Sequence, residues 1–331
     1  TFVACFAIIG FFYVVPIFIN FTNEEIFSDE FQNTSRKVMV YKLSGKPEQT
    51  DIDVNETFDE KDLLSDILTL NDLETDSVRL SASTIDQLFK DTNYNLDDVR
   101  LNKLVRPVAL TWLPNEIKRI ENTKKRKNLF IQIVLPLILE ENNNIKLDRL
   151  KLFSIINKNN NTKLEKQWLN QKYKQYGIPS KDLSTLKIRM DEIPTSLAIA
   201  QAAKETGWGT SRFALEGNAL FGQWTWSGEG LKPKDAEKSQ GHKVMKFNVL
   251  QASVRAYQRN LNTHSSYKEF RKARAKLRDE NKELDSMILS EHLDKYAETG
   301  KKYVDILQKI ITQNQLKDFD DAKLLPSSKK L

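Results

Sequence analysis

The sequence predicts a mainly α-helical, α+β body, preceded by an apolar membrane helix and an acidic connector. Three observations carry this. Apolar residues recur at helical spacing from Pro114 onward, the run 2–19 is uncharged, and charge changes sign along the chain. Residues 22–100 hold 19 Asp and Glu against 8 Lys and Arg, a net of −11. Residues 101–331 hold a net of +17 within an overall charge of +6. The expected divisions are 1–21 as anchor or uncleaved signal, 22–110 as accessory connector and 111–325 as the helical domain.

Composition removes several functions at once. One Cys excludes a disulfide framework within the chain, and three His with that Cys leave too few ligands for a protein-only zinc site. The eleven glycines are scattered, and neither GxxxxGK[ST] nor GxGxxG occurs, which disfavours nucleotide chemistry of those kinds. No cofactor is expected.

The run 2–19 (FVACFAIIGFFYVVPIFI) would span roughly 27–30 Å of hydrocarbon as a helix. A cleaved signal peptide is the alternative, but it calls for a small-x-small site that PIFINFTNEE lacks. The first charges after the span are Glu24, Glu25, Asp29 and Glu30, so the flank is expected to face outward. That orientation argues against nucleic acid as partner of the basic half. An anionic cell-wall polymer or anionic lipid remains.

Residues 22–110 read as a poorly packed connector with a short helix over 83–90. Beyond it, 129–142 is apolar nearly all round and marks a buried helix, in which Pro136 predicts a kink or break. Further helices are expected over 147–158, 163–176 and 181–189, and an amphipathic pair after Glu291 closes the domain. Lys246-Phe247 reads as a strand after a turn at Gly241.

The chemistry concentrates in IPTSLAIAQAAKETGWGTSRFALEGNALFGQWTW, from Ile193 to Trp226. Pro194 starts a helix whose Leu197, Ala198, Ile199, Ala200, Ala202 and Ala203 belong in the middle of a domain. Glu205 ends it, before the Gly207-Trp208-Gly209 break. Burial, the Trp208 indole and the negative end of the helix favour the protonated carboxyl, the state a glycosidase general acid requires. Read without that setting, Glu205 is an ordinary surface or capping glutamate.

The segments Ala203-Lys204-Glu205-Thr206-Gly207-Trp208-Gly209 and Asn218-Ala219-Leu220-Phe221-Gly222 resemble the core motif of bacterial β-N-acetylglucosaminidases of glycoside hydrolase family 73. Gln223-Trp224, Asn260-Leu261-Asn262-Thr263-His264 and Tyr267 resemble its Bax-type branch more closely. The resemblance covers about residues 115–318. It implies a lysozyme-like helical domain with a small β-hairpin lobe, cleaving the β-1,4 bond after N-acetylglucosamine in peptidoglycan, at a bacterial inner membrane. It makes Glu205 the general acid and the turn from Asn218 to Gly222 the cleft floor.

A second carboxylate is expected in the hairpin after that turn. Spacing back from Lys246-Phe247 favours Glu237 over Glu229 and Asp235, whereas substrate-assisted chemistry would need none of them. Trp208, Phe221 and Trp224 are offered as sugar platforms, with Trp208 largely structural and Trp224 either cleft or core. Tyr267 is expected opposite Glu205, Tyr257 in packing and His264 in a turn. A non-catalytic wall-binding protein and a lytic transglycosylase remain as alternatives.

Overall fold

The computed structural model describes residues 36–37, 51–52, 60–71, 78–158, 160–225, 230–231 and 243–326. The chain divides into two compact units, residues 1–38 with 50–55, and residues 39–49 with 56–331. In the first, β1 (Arg36–Lys37) and β2 (Asp51–Ile52) pair antiparallel.

The second unit is mainly helical. Its first helix, α1 (Glu60–Asn71), sets Ile67 against Phe247, Ala252 and Ala256 in a small apolar cluster. Next, α2 (Ala82–Asp91) and α3 (Leu96–Asn102) begin on Ser81 and Asn95, each of whose side chains accepts from a first-turn N–H. Ile85, Phe89, Tyr94, Leu96, Val99 and Val105 join the main core. Residues 78–110 are therefore not the poorly packed connector expected of them. Those six side chains are buried, although Val78, Leu101 and Leu104 stay exposed; β3 (Leu104–Val105) runs parallel to β7 (Lys323–Leu324), and Arg100 holds Asp318 at 2.6 Å.

The next helix corrects two expectations. Helices expected over 129–142 and 147–158 form one, α4 (Thr123–Ile156), of 34 residues, which passes unbroken through Pro136. Proline removes the donor for the carbonyl four residues earlier, here Gln132. The Tyr94 hydroxyl supplies a donor to that carbonyl at 3.0 Å, and Gln132 Nε2 returns a bond to the Tyr94 carbonyl at 2.8 Å. Residues 129–139 are almost wholly buried, so packing from several sides holds the helix together across the missing bond.

Thereafter α5 (Lys163–Gln175) opens on a capping box between Thr162 and Glu165, and α6 (Leu183–Arg189) opens on Asp182. They close a second apolar cluster with Ile145, Leu152 and Ile155 of α4. The central helix, α7 (Thr195–Thr206), packs against α4 and, from later in the chain, α11 (Ser286–Ser290), α12 (Lys301–Gln313) and a 3₁₀ turn (Leu316–Phe319). Its small side chains let those neighbours approach closely. Asp320 of the last turn caps its start, accepting from Ser196 N at 2.7 Å and Ser196 Oγ at 2.8 Å.

After α8 (Arg212–Gly217), three short strands form an antiparallel sheet in the order β4 (Trp224–Thr225), β6 (Lys243–Met245), β5 (Gly230–Leu231). The strand expected at Lys246-Phe247 lies just before it, because Phe247 turns inward and its N–H reaches the Gly217 carbonyl at 2.9 Å. Then come α9 (Leu250–Thr263) and α10 (Lys268–Asp279). The closing helical pair reduces to α12 and the 3₁₀ turn, because residues 292–300 turn instead, with Gly300 at φ +51°.

A buried ion cluster ties these helices together. Asp191, in the α6–α7 link, meets Arg278 Nη2 at 3.0 Å, Arg149 Nη2 at 3.7 Å and Arg274 Nε at 3.8 Å. Burial opposes its charge, but the three guanidinium groups hold its carboxyl below the usual range. Among the described residues no helix is long and apolar enough to cross a membrane. The expected span at 2–19 lies outside them.

Candidate active site

The backbone places Glu205 at the last turn of α7 and stops the helix directly after it. Gly207, Trp208 and Gly209 follow one another at φ +58°, +61° and +81°. Glycine enters this left-handed region without penalty, and Gly207 forms the usual left-handed end of a helix. At Gly209 a side chain would also collide, since a Cβ would lie 2.9 Å from Phe130 Cδ2. The freed groups are recovered locally. Trp208 N bonds the Ala203 carbonyl at 2.9 Å, and Thr206 Oγ1 accepts from Gly209 N at 2.9 Å.

Glu205 is half-buried, and its Oε1 is shut off from solvent without a protein partner. Loss of hydration pushes its carboxyl up to about 7, against the opposing influences of the Lys204 charge and a hydrogen bond from Tyr303. Around it stands a layer of buried phenols. Tyr303 and Tyr296 stack at 5.2 Å, Tyr296 and Tyr267 lie 5.9 Å apart, and Tyr257 stacks on Phe221 at 3.8 Å. Tyr267, Tyr296 and Tyr303 each sense the Glu205 charge, and burial raises all three well above the ordinary phenol range.

The residues singled out from the sequence separate into groups. Tyr267 shares the surroundings of Glu205 but is a buried member of the phenol layer, linked to Asn260. Phe221 is fully buried, and with one ring face stacked on Tyr257 it serves the phenol layer rather than offering a sugar platform. Trp208 lies edge-on to Phe130 at 6.0 Å with Lys127 Nζ 4.8 Å from its ring, so its indole belongs to the α4 side. Asn218, at φ +50°, ends α8 and anchors the sheet side through Nδ2 to the Phe247 carbonyl at 3.2 Å. Gly222 takes φ +62° beside the buried Gln223, whose carbonyl accepts from Met245 N at 2.7 Å.

The backbone of Trp224 begins β4. Glu237, with Glu229, Asp235 and Trp226, lies outside the described residues. His264 Nδ1 accepts from Ser266 N at 3.1 Å, as suits a turn, and burial pushes the ring down to about 4. Among the described residues no three His, Cys, Asp or Glu side chains converge as a metal site requires.

Three residues of this site escaped the sequence reading: Tyr296 of the phenol layer, and two nearer the acid. Gln201 and Tyr303 touch the acid's surroundings directly, with Gln201 Nε2 donating to Tyr303 Oη at 3.2 Å. The spacing of Gln201 four before Glu205 was a usable signal, since such residues share a helix face. Tyr303 gave none, being one aromatic among many in an amphipathic helix.

A buried acid at the end of a buried helix, ringed by phenols and followed by a small sheet, defines a class of helical glycosidase-like domain. The glucosaminidase family model, described as mannosyl-glycoprotein endo-beta-N-acetylglucosaminidase, matches residues 183–316. Protein bax of Escherichia coli (strain K12) is 32% identical over 206 residues, covering 60% of this chain and 74% of that protein. No solved structure matches the chain. The chain belongs to the glucosaminidase family, as a Bax-type glucosaminidase-domain protein.

Proposed function

We propose that the protein is a peptidoglycan hydrolase with a lysozyme-like domain, cleaving the β-1,4 bond after N-acetylglucosamine. The observation that carries this reading is the Glu205 carboxyl, held near a titration midpoint of about 7 with Oε1 unpartnered. An acid so placed is protonated often enough near neutrality to give its proton to the leaving glycosidic oxygen. Family membership supports glycan as the substrate class. Glu237 is assigned the second carboxylate. The turn from Asn218 to Gly222 forms the cleft floor, with Trp224 along the sugar site and Tyr267 beneath it. Phe221 supports the phenol layer, and the Trp208 indole packs on the α4 side. The basic body, net +17 over 101–331, suits glycan strands that carry carboxylate-bearing peptide stems. The N-terminal span holds the chain in a bacterial inner membrane with the domain outside.

Mass spectrometry of peptidoglycan digested by the protein and by Glu205→Gln tests the reading. New reducing-end N-acetylglucosamine, made by the wild type and lost in the variant, is the expected result. Anhydro-muramic ends would make the protein a lytic transglycosylase instead. No cleavage by a folded wild type would leave a wall-binding protein.

A further inference from the structure

Gln201 lies one turn before Glu205 on α7 and is fully buried. Both ends of its amide are engaged. Tyr257 Oη donates to Oε1 at 2.7 Å, and Nε2 donates to Tyr303 Oη at 3.2 Å. An amide oxygen only accepts, an amide nitrogen only donates, and a phenol has a single proton. Once Tyr257 has committed its proton to Gln201, the amide nitrogen must face Tyr303. The Tyr303 oxygen then acts as acceptor toward Gln201, and its one proton is left for Glu205.

We propose that Gln201 is a positioning residue: by donating to the Tyr303 oxygen it turns that phenol's single proton toward Glu205 and so sets the acidity of the carboxyl. This rests on the reading of Glu205 as general acid. With the amide reversed, Tyr303 would donate to Gln201 and present only a lone pair to Glu205, removing the donor that favours the ionised carboxyl. Packing holds the productive order. Tyr257 is pinned by its stack on Phe221, and Tyr303 by its stack on Tyr296. The ionisable groups that act on Glu205 are Lys204 on its own helix, Tyr303 from α12, and Tyr267 and Tyr296 from the segments flanking the core. Asp320 and Lys317 sit at the opposite end of α7, by Ser196. Only Tyr303 is directed by Gln201.

The test follows the Glu205 carboxyl by carbon-13 titration, alongside the pH dependence of kcat on peptidoglycan glycan strands. In Gln201→Met the side chain keeps its length but loses both bonds. We expect the Glu205 midpoint to rise, with kcat lowered and KM unchanged. The rise should be less than the ~1–2 pH units that outright loss of a hydrogen bond to a charged group would give, because Tyr303 keeps its proton but no longer has its direction fixed. Tyr303→Phe should move the midpoint the same way, and the double variant no further than the larger single. Gln201→Glu supplies a rescue. Its protonated carboxyl has one donor and one acceptor, so activity should return at low pH and vanish as that group ionises.

An unmoved Glu205 midpoint in folded Gln201→Met and Tyr303→Phe proteins would overturn the proposal and leave Gln201 a packing residue. Should Glu205→Gln keep full activity, the general-acid reading fails instead. The titration arm separates that outcome, because it reads the hydrogen-bond order without turnover.

Discussion

The Tyr94 hydroxyl donates a 3.0 Å hydrogen bond to the Gln132 carbonyl, the group that Pro136 leaves without a helical donor. This bond joins the loop between α2 and α3 to the middle of the longest helix. Tyr94→Phe should therefore cost ~1–3 kcal/mol in urea unfolding, since a buried carbonyl loses its partner. In a Pro136→Ala background residue 136 regains its own N–H, so the same change should cost clearly less. Equal costs in both backgrounds would show that Tyr94 contributes packing alone.

That relationship also shows what the sequence could reveal. The helix start at residue 163 is legible because Thr162 and Glu165 act within a few residues of the end they cap, whereas the start expected at 181 falls at 183, where Asp182 supplies the cap. Glu205 is legible because a small-residue helix and a Gly-Trp-Gly stop are local patterns. Pro136 misleads because its remedy comes from Tyr94, and the packing of 78–110 escapes because its partners include β7 at the far end of the domain. The Tyr257–Gln201–Tyr303 chain unites three distant segments through residues that individually look like core.

Glu205→Gln should lower hydrolysis by about 10²–10⁴-fold while the protein folds normally. It should also raise stability in one pH window. The Glu205 carboxyl is raised from its ordinary value of 4.5 to about 7 on folding, so its protonation favours the folded state below 4.5 and that stability is lost as pH rises through about 7. The variant has no such loss. Its advantage over wild type should be absent at pH 4, grow through the window and level off at ~1–3 kcal/mol above pH 7, read by urea unfolding at each pH. A constant advantage at every pH would remove the raised titration.

Asp191 gives the opposite sign. Burial opposes its charge, yet Arg274, Arg149 and Arg278 hold its carboxyl below the ordinary value of 3.8. Its contribution is therefore present above 3.8 and lost as pH falls through the lower folded value. Asp191→Asn should cost ~3–5 kcal/mol at pH 7, because it strands buried guanidinium charge. The gap to wild type should close in strong acid. A persistent gap in strong acid would mean that Asp191 acts through shape rather than charge.

The apolar run 2–19 and its acidic flank lead to a cellular expectation. Carbonate extraction should leave the protein in the membrane pellet, while protease added from outside digests the domain. Recovery as a soluble, shortened chain would replace the anchor with a cleaved signal.

The hairpin acid decides the chemistry that follows protonation. If Glu237 activates water, Glu237→Gln should slow hydrolysis strongly with little effect on substrate affinity, because that task belongs to the transition state. An acetamido group of the substrate acting in its place would make Glu237→Gln, Glu229→Gln and Asp235→Asn equally silent. Burial pushes the Glu205 carboxyl up to about 7, against the opposing Lys204 charge. Single-turnover cleavage by the three amide variants is the measurement. A defect in Glu237→Gln alone is the expected outcome; a defect confined to Glu229→Gln or Asp235→Asn transfers the role to that residue, and silence in all three assigns the step to the substrate.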